Sequence, residues 1–120
     1  LFAGRVDDGA RAWLVHNAAV LAYPSLDEGF GFPLLDAMQA GVPVVASDAG
    51  SIPEVAGDAA LLCAAHDGDK LAANLSAALT DSAARARLVN AGEQQWRRFT
   101  WTKCADDTVA LYRQLAGEGR

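Results

Sequence analysis

Two short apolar runs, separated by one segment of helix length, constrain this chain more than any other feature of its sequence. Residues 19–23 (AVLAY) and 42–47 (VPVVAS) lack the alternation of a half-exposed strand, and each is short enough to be a fully buried one. Between them Pro33 should open a helix that Gly41 ends, because proline suits the first helical position and glycine the position after the last. Strand, crossover helix and strand predict an α/β fold with a parallel sheet.

The same signals predict the remaining elements. Residues 1–3 should form a short strand, and Asp8 should cap a helix over residues 10–18. A single helical turn is expected at residues 52–55 and a third strand at 60–63. Only helices should follow, at residues 69–79, 82–99 and 102–115. The aromatic residues expected to pack at the junction of the last two helices are Trp96, Phe99 and Trp101.

Composition narrows the possible partners. The 120 residues fit one domain, and 52% of them are hydrophobic, which suffices for a core. The net charge is −5 and Lys and Arg form no run, so a nucleic-acid partner is not expected. No apolar run approaches the ~20 residues that span a bilayer. Cys63 and Cys104 form no CxxC pair, which indicates two buried or half-buried thiols in a reducing cytoplasm.

Acidic and glycine residues follow the first apolar run, in the segment SLDEGFGFPLLD. Ligands of open parallel sheets bind beyond the carboxyl ends of the strands. Gly29 and Gly31 let the backbone approach a ligand, and amides at the helix start, including that of Phe32, favour an anion such as a diphosphate. Glu28 and Asp36 would offer acceptors to hydroxyls on either side. Spacing alone equally allows a solvated loop acid and an acid in the first helical turn.

A second loop, SDAGSIPE, follows the second apolar run. Ser51 and Glu54 have the spacing of a capping box, which favours a helix cap. The functional alternative places this loop beside the first one, as a wall of the same pocket. For His16 a place at the core or its edge is favoured over a catalytic role. For His66, beside Asp67 and Asp69, a polar turn and helix cap is favoured over a metal site.

Six segments carry a family resemblance, in this order: YPS at 23–25, EGFGFPLLDAM at 28–38, GVPVVAS at 41–47, GSIPEV at 50–55, GDAALL at 57–62 and FTW at 99–101. Together they resemble the GT-B retaining glycosyltransferases with a Glu-x7-Glu motif. The resemblance covers nearly the whole chain, and the ordered set is highly specific. It implies a Rossmann-like parallel sheet with flanking helices, the C-terminal part of a GT-B glycosyltransferase, ending in helices.

The resemblance also implies roles for the loop residues. Glu28 would be the catalytic residue that contacts hydroxyls of the transferred sugar and places it, and Asp36 would hold the ribose hydroxyls of the nucleotide. The sugar and the diphosphate would meet the amides of Gly29, Phe30, Gly31 and Phe32. No metal and no cofactor are implied, and the nucleotide sugar is a substrate. Asp36 stands where the family usually has Glu, one methylene longer.

The resemblance covers only part of a GT-B enzyme. The chain opens at Leu1 within an apolar stretch, so we expect a piece of a longer polypeptide. Residues 1–120 would be a partial C-terminal nucleotide-sugar-binding domain without the N-terminal acceptor domain. The family's Arg and Lys that neutralise the diphosphate lie upstream, and Arg5 is not in that motif. The fragment alone should be inactive, with exposed apolar surface that favours self-association.

The function implied is transfer of a hexosyl group from a nucleotide sugar to a glycan, lipid or small-molecule acceptor, with retention. The site would be cytoplasmic, with any peripheral membrane contact made by the missing half. Two alternatives differ in class. One is a non-catalytic nucleotide-sugar-binding or structural α/β module, against which the intact Glu28 and Asp36 argue. The other is a response-regulator receiver domain, which needs a Lys at a later strand end, whereas Lys103 is predicted at a helix start.

Overall fold

A computed structural model describes residues 1–117 of the chain. The helices are α1 Asp8–His16, α2 Phe32–Gln39, α3 Ile52–Ala56, α4 Gly68–Thr80, α5 Ser82–Trp96 and α6 Trp101–Leu115. The strands are β1 Leu21–Tyr23, β2 Val44–Ser47 and β3 Ala60–Cys63, and a 3-10 turn at Gly57–Ala59 precedes β3. Strand and helix alternate up to β3, and the elements after it are helical.

The three strands form one parallel sheet in the order β1-β2-β3. Val45 of β2 lies opposite Ala22 on one side and opposite Leu61 on the other. All four residues of β2 are buried, as expected of the central strand of a parallel sheet. The α/β fold with a parallel sheet and flanking helices is therefore confirmed, with α2 as the crossover between β1 and β2.

Helix α2 begins at Phe32, one residue before the predicted start at Pro33, and it ends before Gly41 as predicted. Gly31 precedes the helix with a φ of 94°, a value that glycine adopts without strain, and Pro33 lies in the first turn. At the other end Gly41 has a φ of 70°. The Gly41 N–H donates to Met38 O at 3.1 Å and the Val42 N–H to Ala37 O at 2.9 Å, which is the Schellman arrangement.

The main core lies between the sheet, α2 and α3, and α5 covers it. Leu34, Met38 and Ile52 are fully or almost fully buried there. A Cβ on Gly92 would stand 3.2 Å from Met38 Cγ, so the glycine allows α5 to approach α2 closely. Helix α5 is also tied to α3, because the buried Gln95 side chain donates to Val55 O at 2.9 Å.

A smaller cluster packs the opposite face of the sheet against α4 and α5. Val45, Ala78 and Leu88 form its buried part. Asn74 on α4 is buried as well, and its amide donates to Leu62 O at 3.1 Å, so this polar group has a partner. Helices therefore cover both faces of the sheet.

The N-terminal part of the chain departs from the sequence prediction. Residues 1–3 are exposed and do not form a strand, since no described strand lies beside them to pair with. Strand β1 is shorter than residues 19–23 and is not fully buried. It is an edge strand, and Ala22 is exposed. Asp7, not Asp8, caps α1, because its carboxylate accepts from Ala10 N at 2.8 Å and so starts the helix earlier.

The C-terminal helices also differ in detail. Thr100 caps α6 by accepting from Lys103 N at 3.1 Å, so α5 ends at Trp96 and Phe99 lies in the turn between the two helices. No residue of α6 is buried, and Trp101 is 83% exposed, so the prediction that it packs at the junction was wrong. No helix in the described part of the chain is long and apolar enough to cross a membrane.

Candidate functional site

The loops after β1 and β2 lie against each other at the carboxyl edge of the sheet. Ser51 donates twice to the carbonyl oxygen of Glu28, from its N–H and from its hydroxyl, each at 3.1 Å. A Cβ on Gly50 would stand 2.4 Å from the same oxygen and 2.8 Å from Glu28 N, so the two backbones touch where only glycine fits. The buried Ser47 at the end of β2 adds a third link, because its hydroxyl donates to Ser25 O at 2.5 Å.

This contact decides between the two interpretations of Ser51. The side chain makes no capping hydrogen bond to α3, so the predicted capping box was wrong. Its hydroxyl is engaged by the neighbouring loop, since Glu28 O lies within reach and accepts it. The second loop lies beside the first, as the functional alternative places it, and its role as a wall of a donor pocket stays a prediction.

Glu28 is held at its side chain as well as at its backbone. The Tyr23 hydroxyl donates to Glu28 Oε2, and the Glu28 N–H donates to Asp27 Oδ1 at 2.9 Å. Donation to the carboxylate raises the pKa of Tyr23, and burial of the ring raises it further. The half-buried Glu28 is thus fixed from several directions, unlike a freely solvated loop acid.

The start of α2 lies beside the Glu28 side chain. A Cβ on Gly31 would be 3.7 Å from Glu28 Cγ. The Leu34 N–H is engaged by Gly31 O at 3.0 Å, whereas the N–H groups of Gly31 and Phe32 have no acceptor among residues 1–117. Pro33 has no N–H. Two unpaired donors at a helix N-terminus favour an anion there, with a carboxylate at hand for hydroxyl groups.

Asp36 lies in the second turn of α2, not in the first as expected, because the helix already begins at Phe32. Its carboxylate forms an ion pair with Arg11 of α1. The side chains are 38% and 53% exposed, so the pair is largely solvated and contributes little to stability. Asp36 can therefore exchange this partner for a ligand hydroxyl at small cost.

The two phenylalanines of the loop are placed by aromatic contacts. The ring centroids of Phe30 and Phe32 are 4.7 Å apart, and Phe99 meets Phe30 edge-on at 5.7 Å. A cavity of about 710 Å³ opens beside them, lined by Phe30, Phe32, Leu35, Glu54, Arg98, Phe99, Thr100, Trp101, Lys103, Cys104 and Asp107. The rings thus border a space separate from the Glu28 carboxylate, while the loop's backbone amides remain the predicted donors.

The histidine and cysteine side chains form no metal-binding cluster in the described part of the chain. His16 bonds through Nδ1 to Ala12 O at 2.9 Å, within its own helix. Cys63 is buried, which raises the pKa of its thiol, whereas Cys104 is exposed, contrary to the expectation for both thiols. Within residues 1–117 no three His, Cys, Asp or Glu side chains cluster in a way that could hold a metal ion.

Fold and site together define a parallel α/β domain with a helix N-terminus, a fixed glutamate and a second loop at one edge of its sheet. The model of the family Glycosyl transferases group 1 matches residues 1–95. This chain belongs to that family, whose GT-B architecture accounts for the fold described above.

Relatives and a solved structure agree with this membership. The chain is 39% identical over 114 residues to O-antigen chain mannosyltransferase B from Escherichia coli, covering 95% of this chain and 30% of that protein. It is 37% identical over 121 residues to phosphatidyl-myo-inositol mannosyltransferase from Mycobacterium leprae, covering 98% and 32%. The structure of sucrose-phosphate synthase from Thermosynechococcus elongatus matches with a TM-score of 0.80 at 30% identity, covering 99% and 31%. The chain thus spans about a third of the length of these proteins.

Three contributors to the site were not predicted as such. Tyr23 and Gly50 were part of the resemblance but carried no role, and Arg11 was not considered. A usable signal existed for Tyr23 alone, since it ends a strand at the edge where Glu28 lies. Arg11 and Gly50 contact partners more than twenty positions away, and no local spacing marks such contacts.

Proposed function

We propose that this chain is the donor-binding part of a retaining glycosyltransferase. The enzyme would move a hexosyl group from a nucleotide sugar to a glycan, lipid or small-molecule acceptor. Membership of the family supports the class of reaction. The names of two relatives, a mannosyltransferase acting on an O-antigen chain and one acting on phosphatidyl-myo-inositol, support a hexose and an acceptor of glycan or lipid type.

One observation carries the proposal at the level of residues: Glu28 is fixed beside the free amides of Gly31 and Phe32. The nucleotide's diphosphate would bind at these amides, where the helix dipole favours negative charge. As the bond to the sugar breaks, the charge on the diphosphate grows, so amides already aimed at it lower the barrier. Glu28 would hold hydroxyls of the transferred sugar in place.

Asp36 would hold the ribose hydroxyls. A ligand hydroxyl would replace Arg11 at one carboxylate oxygen or share the carboxylate with it, which the exposed ion pair permits. We further propose that residues 1–120 need an N-terminal acceptor domain, because the chain spans about a third of its relatives' length. The chain alone would then bind a nucleotide without turning over.

The test is to separate the two acids in the protein that carries both domains. We expect Glu28→Ala to lower kcat roughly tenfold to hundredfold and to leave nucleoside diphosphate affinity nearly unchanged, because its partner is the moving sugar. Asp36→Ala should weaken nucleoside diphosphate binding by a similar factor, whereas Asp36→Glu should be tolerated. Steady-state kinetics and calorimetric titration measure the two effects, with Asp106→Ala on the exposed α6 as the control.

Each outcome has a defined meaning. Loss of nucleotide binding in Glu28→Ala together with normal binding in Asp36→Ala would reverse the donor's orientation. Normal turnover in both variants would remove the two acids from the reaction. Nucleotide-sugar binding without turnover in the two-domain protein would favour the alternative of a non-catalytic binding module.

A further inference from the structure

The backbone of Glu28 is immobilised by the second loop. Its carbonyl oxygen accepts two hydrogen bonds from Ser51, and its peptide unit packs against Gly50 at a distance that excludes any side chain there. Ser51 and Gly50 follow the central strand β2. Their contacts therefore fix the Glu28 backbone relative to the most buried part of the sheet. A fixed backbone does not by itself fix a carboxylate, which still rotates about its side-chain bonds.

Tyr23 supplies the missing constraint. Its hydroxyl donates to Glu28 Oε2, while Glu28 Oε1 has no hydrogen-bond partner among the described residues. The tyrosine is itself held at both ends, because its backbone pairs with Ala46 in the sheet and its half-buried ring packs on the main core. A side chain anchored in this way can hold one oxygen of a carboxylate and leave the second oxygen free to accept a hydrogen bond from a ligand.

We infer that Tyr23 is a positioning residue for Glu28, holding one carboxylate oxygen so that the other is presented to the transferred sugar. This inference rests on the proposed role of Glu28 in sugar binding. A phenol suits the task because it donates one hydrogen bond and brings no charge, so Glu28 keeps the negative charge that attracts sugar hydroxyls. An Arg or Lys at this place would compete with the sugar for the carboxylate.

The hydrogen bond can be tested by titrating the tyrosines of the chain. Only Tyr23 and Tyr112 are present, so the Tyr112→Phe variant reports the Tyr23 phenol alone by its ultraviolet absorbance. The groups that act on Tyr23 are the Glu28 carboxylate, which raises its pKa, and the Ser25 hydroxyl, which lowers it. We expect Glu28→Gln in the Tyr112→Phe background to lower the pKa of Tyr23. An unchanged pKa would overturn the inference.

Kinetics of the two-domain protein test the positioning role. Tyr23→Phe should lower kcat about tenfold while nucleoside diphosphate affinity changes less than about twofold, since one hydrogen bond to the acid is lost and the anion site is untouched. Tyr112→Phe, an equal change at an exposed tyrosine of α6, should leave both unchanged. If Tyr23→Phe is fully active, or if it weakens nucleotide binding as much as turnover, the inference is wrong.

A double mutant separates positioning from a general loss of structure. If Tyr23 acts through Glu28, Tyr23→Phe should add almost nothing in a Glu28→Gln background, whereas two independent defects would multiply. Multiplied effects would therefore contradict the inference. A fully active Glu28→Gln would instead refute the proposed function, and a damaged Glu28→Gln with an intact Tyr23→Phe would refute the inference alone. The two failures are thus distinguishable.

Discussion

Gly50 joins the two loops at a point where no side chain can be accommodated. Its φ is +55°, and an added Cβ would meet the Glu28 backbone at 2.4 Å. We expect Gly50→Ala to lower the free energy of unfolding by about 1–3 kcal/mol from backbone strain alone, with the clash adding to it. The displaced Glu28 should also reduce turnover in the two-domain protein. Urea denaturation and kinetics are the measurements.

Gly68→Ala provides the matched control for that change. Gly68 begins α4, is exposed, and a Cβ there would meet nothing within 4 Å. The substitution should be neutral or slightly stabilising, because alanine favours a helix over the unfolded chain. Equal stability of both variants would show that the loops do not touch as described.

It was easier to predict which side chains belong to the site than which residues they contact. Glu28 stands out in a Gly-rich loop after an apolar run, and a local pattern suffices to find it. Its contacts with Tyr23 and Ser51, and the contact of Asp36 with Arg11, depend on how elements pack. Ser51 shows the difference most clearly, since its spacing to Glu54 is that of a cap and its hydroxyl nevertheless bonds to another loop.

Among the helices, α4 and α5 share one residue at their junction. Asp81 ends α4, with its N–H on Ala77 O at 2.9 Å, and caps α5 by accepting from Ala83 N at 2.9 Å and Ala84 N at 3.0 Å. Because α5 covers the main core, loss of this cap should destabilise the whole domain. We expect Asp81→Ala to lower the free energy of unfolding by about 1 kcal/mol, measured by urea denaturation.

The same substitution at Asp7 is the comparison. Asp7 caps α1, which contains no buried residue. Losing that cap should fray α1 without much effect on cooperative unfolding, since local opening and global unfolding are separate events. A larger loss of stability from Asp7→Ala than from Asp81→Ala would contradict this account of which helices support the core.

Elements bounded by glycine and proline residues were predicted correctly, whereas elements whose extent depends on neighbouring strands were not. Gly31, Pro33 and Gly41 bound α2 through their own backbone preferences, which act locally. The extent and burial of β1 depend on which strands lie beside it, and apolar composition alone could not show that it is an edge strand. The expected strand at residues 1–3 failed for the same reason.

For the molecule as a whole, the exposed helix α6, none of whose residues is buried, should dominate behaviour in solution. Its apolar residues recur every three or four positions, and Trp101, Tyr112 and Leu115 are all more than half exposed. We expect the 120-residue chain to self-associate as its concentration rises, because such a stripe is buried when two copies meet. Sedimentation velocity over a concentration series measures this directly.

A pair of charge substitutions on α6 tests the cause. Leu115→Lys interrupts the apolar stripe and should shift the chain towards monomer. Ala110→Lys adds the same charge two positions from Tyr112, on the opposite side of the helix, and should leave association unchanged. A chain that is monomeric at all concentrations, or equal effects of the two substitutions, would contradict the assignment to this face.

The central position of β2 determines the order in which the contacts at this edge of the sheet are lost. Backbone amides of a buried strand that is paired on both sides exchange their hydrogens with water only when the whole domain opens, whereas an uncovered helix such as α6 exchanges by local fraying. The loop with Gly50 and Ser51 follows the slowly exchanging strand β2, whereas Trp101 belongs to the rapidly exchanging helix α6. Contacts at this edge of the sheet are therefore lost in stages. The aromatic cavity beside Trp101, which is separate from Glu28, opens in brief local excursions, whereas the contacts of Gly50 and Ser51 with Glu28 last until the sheet itself separates.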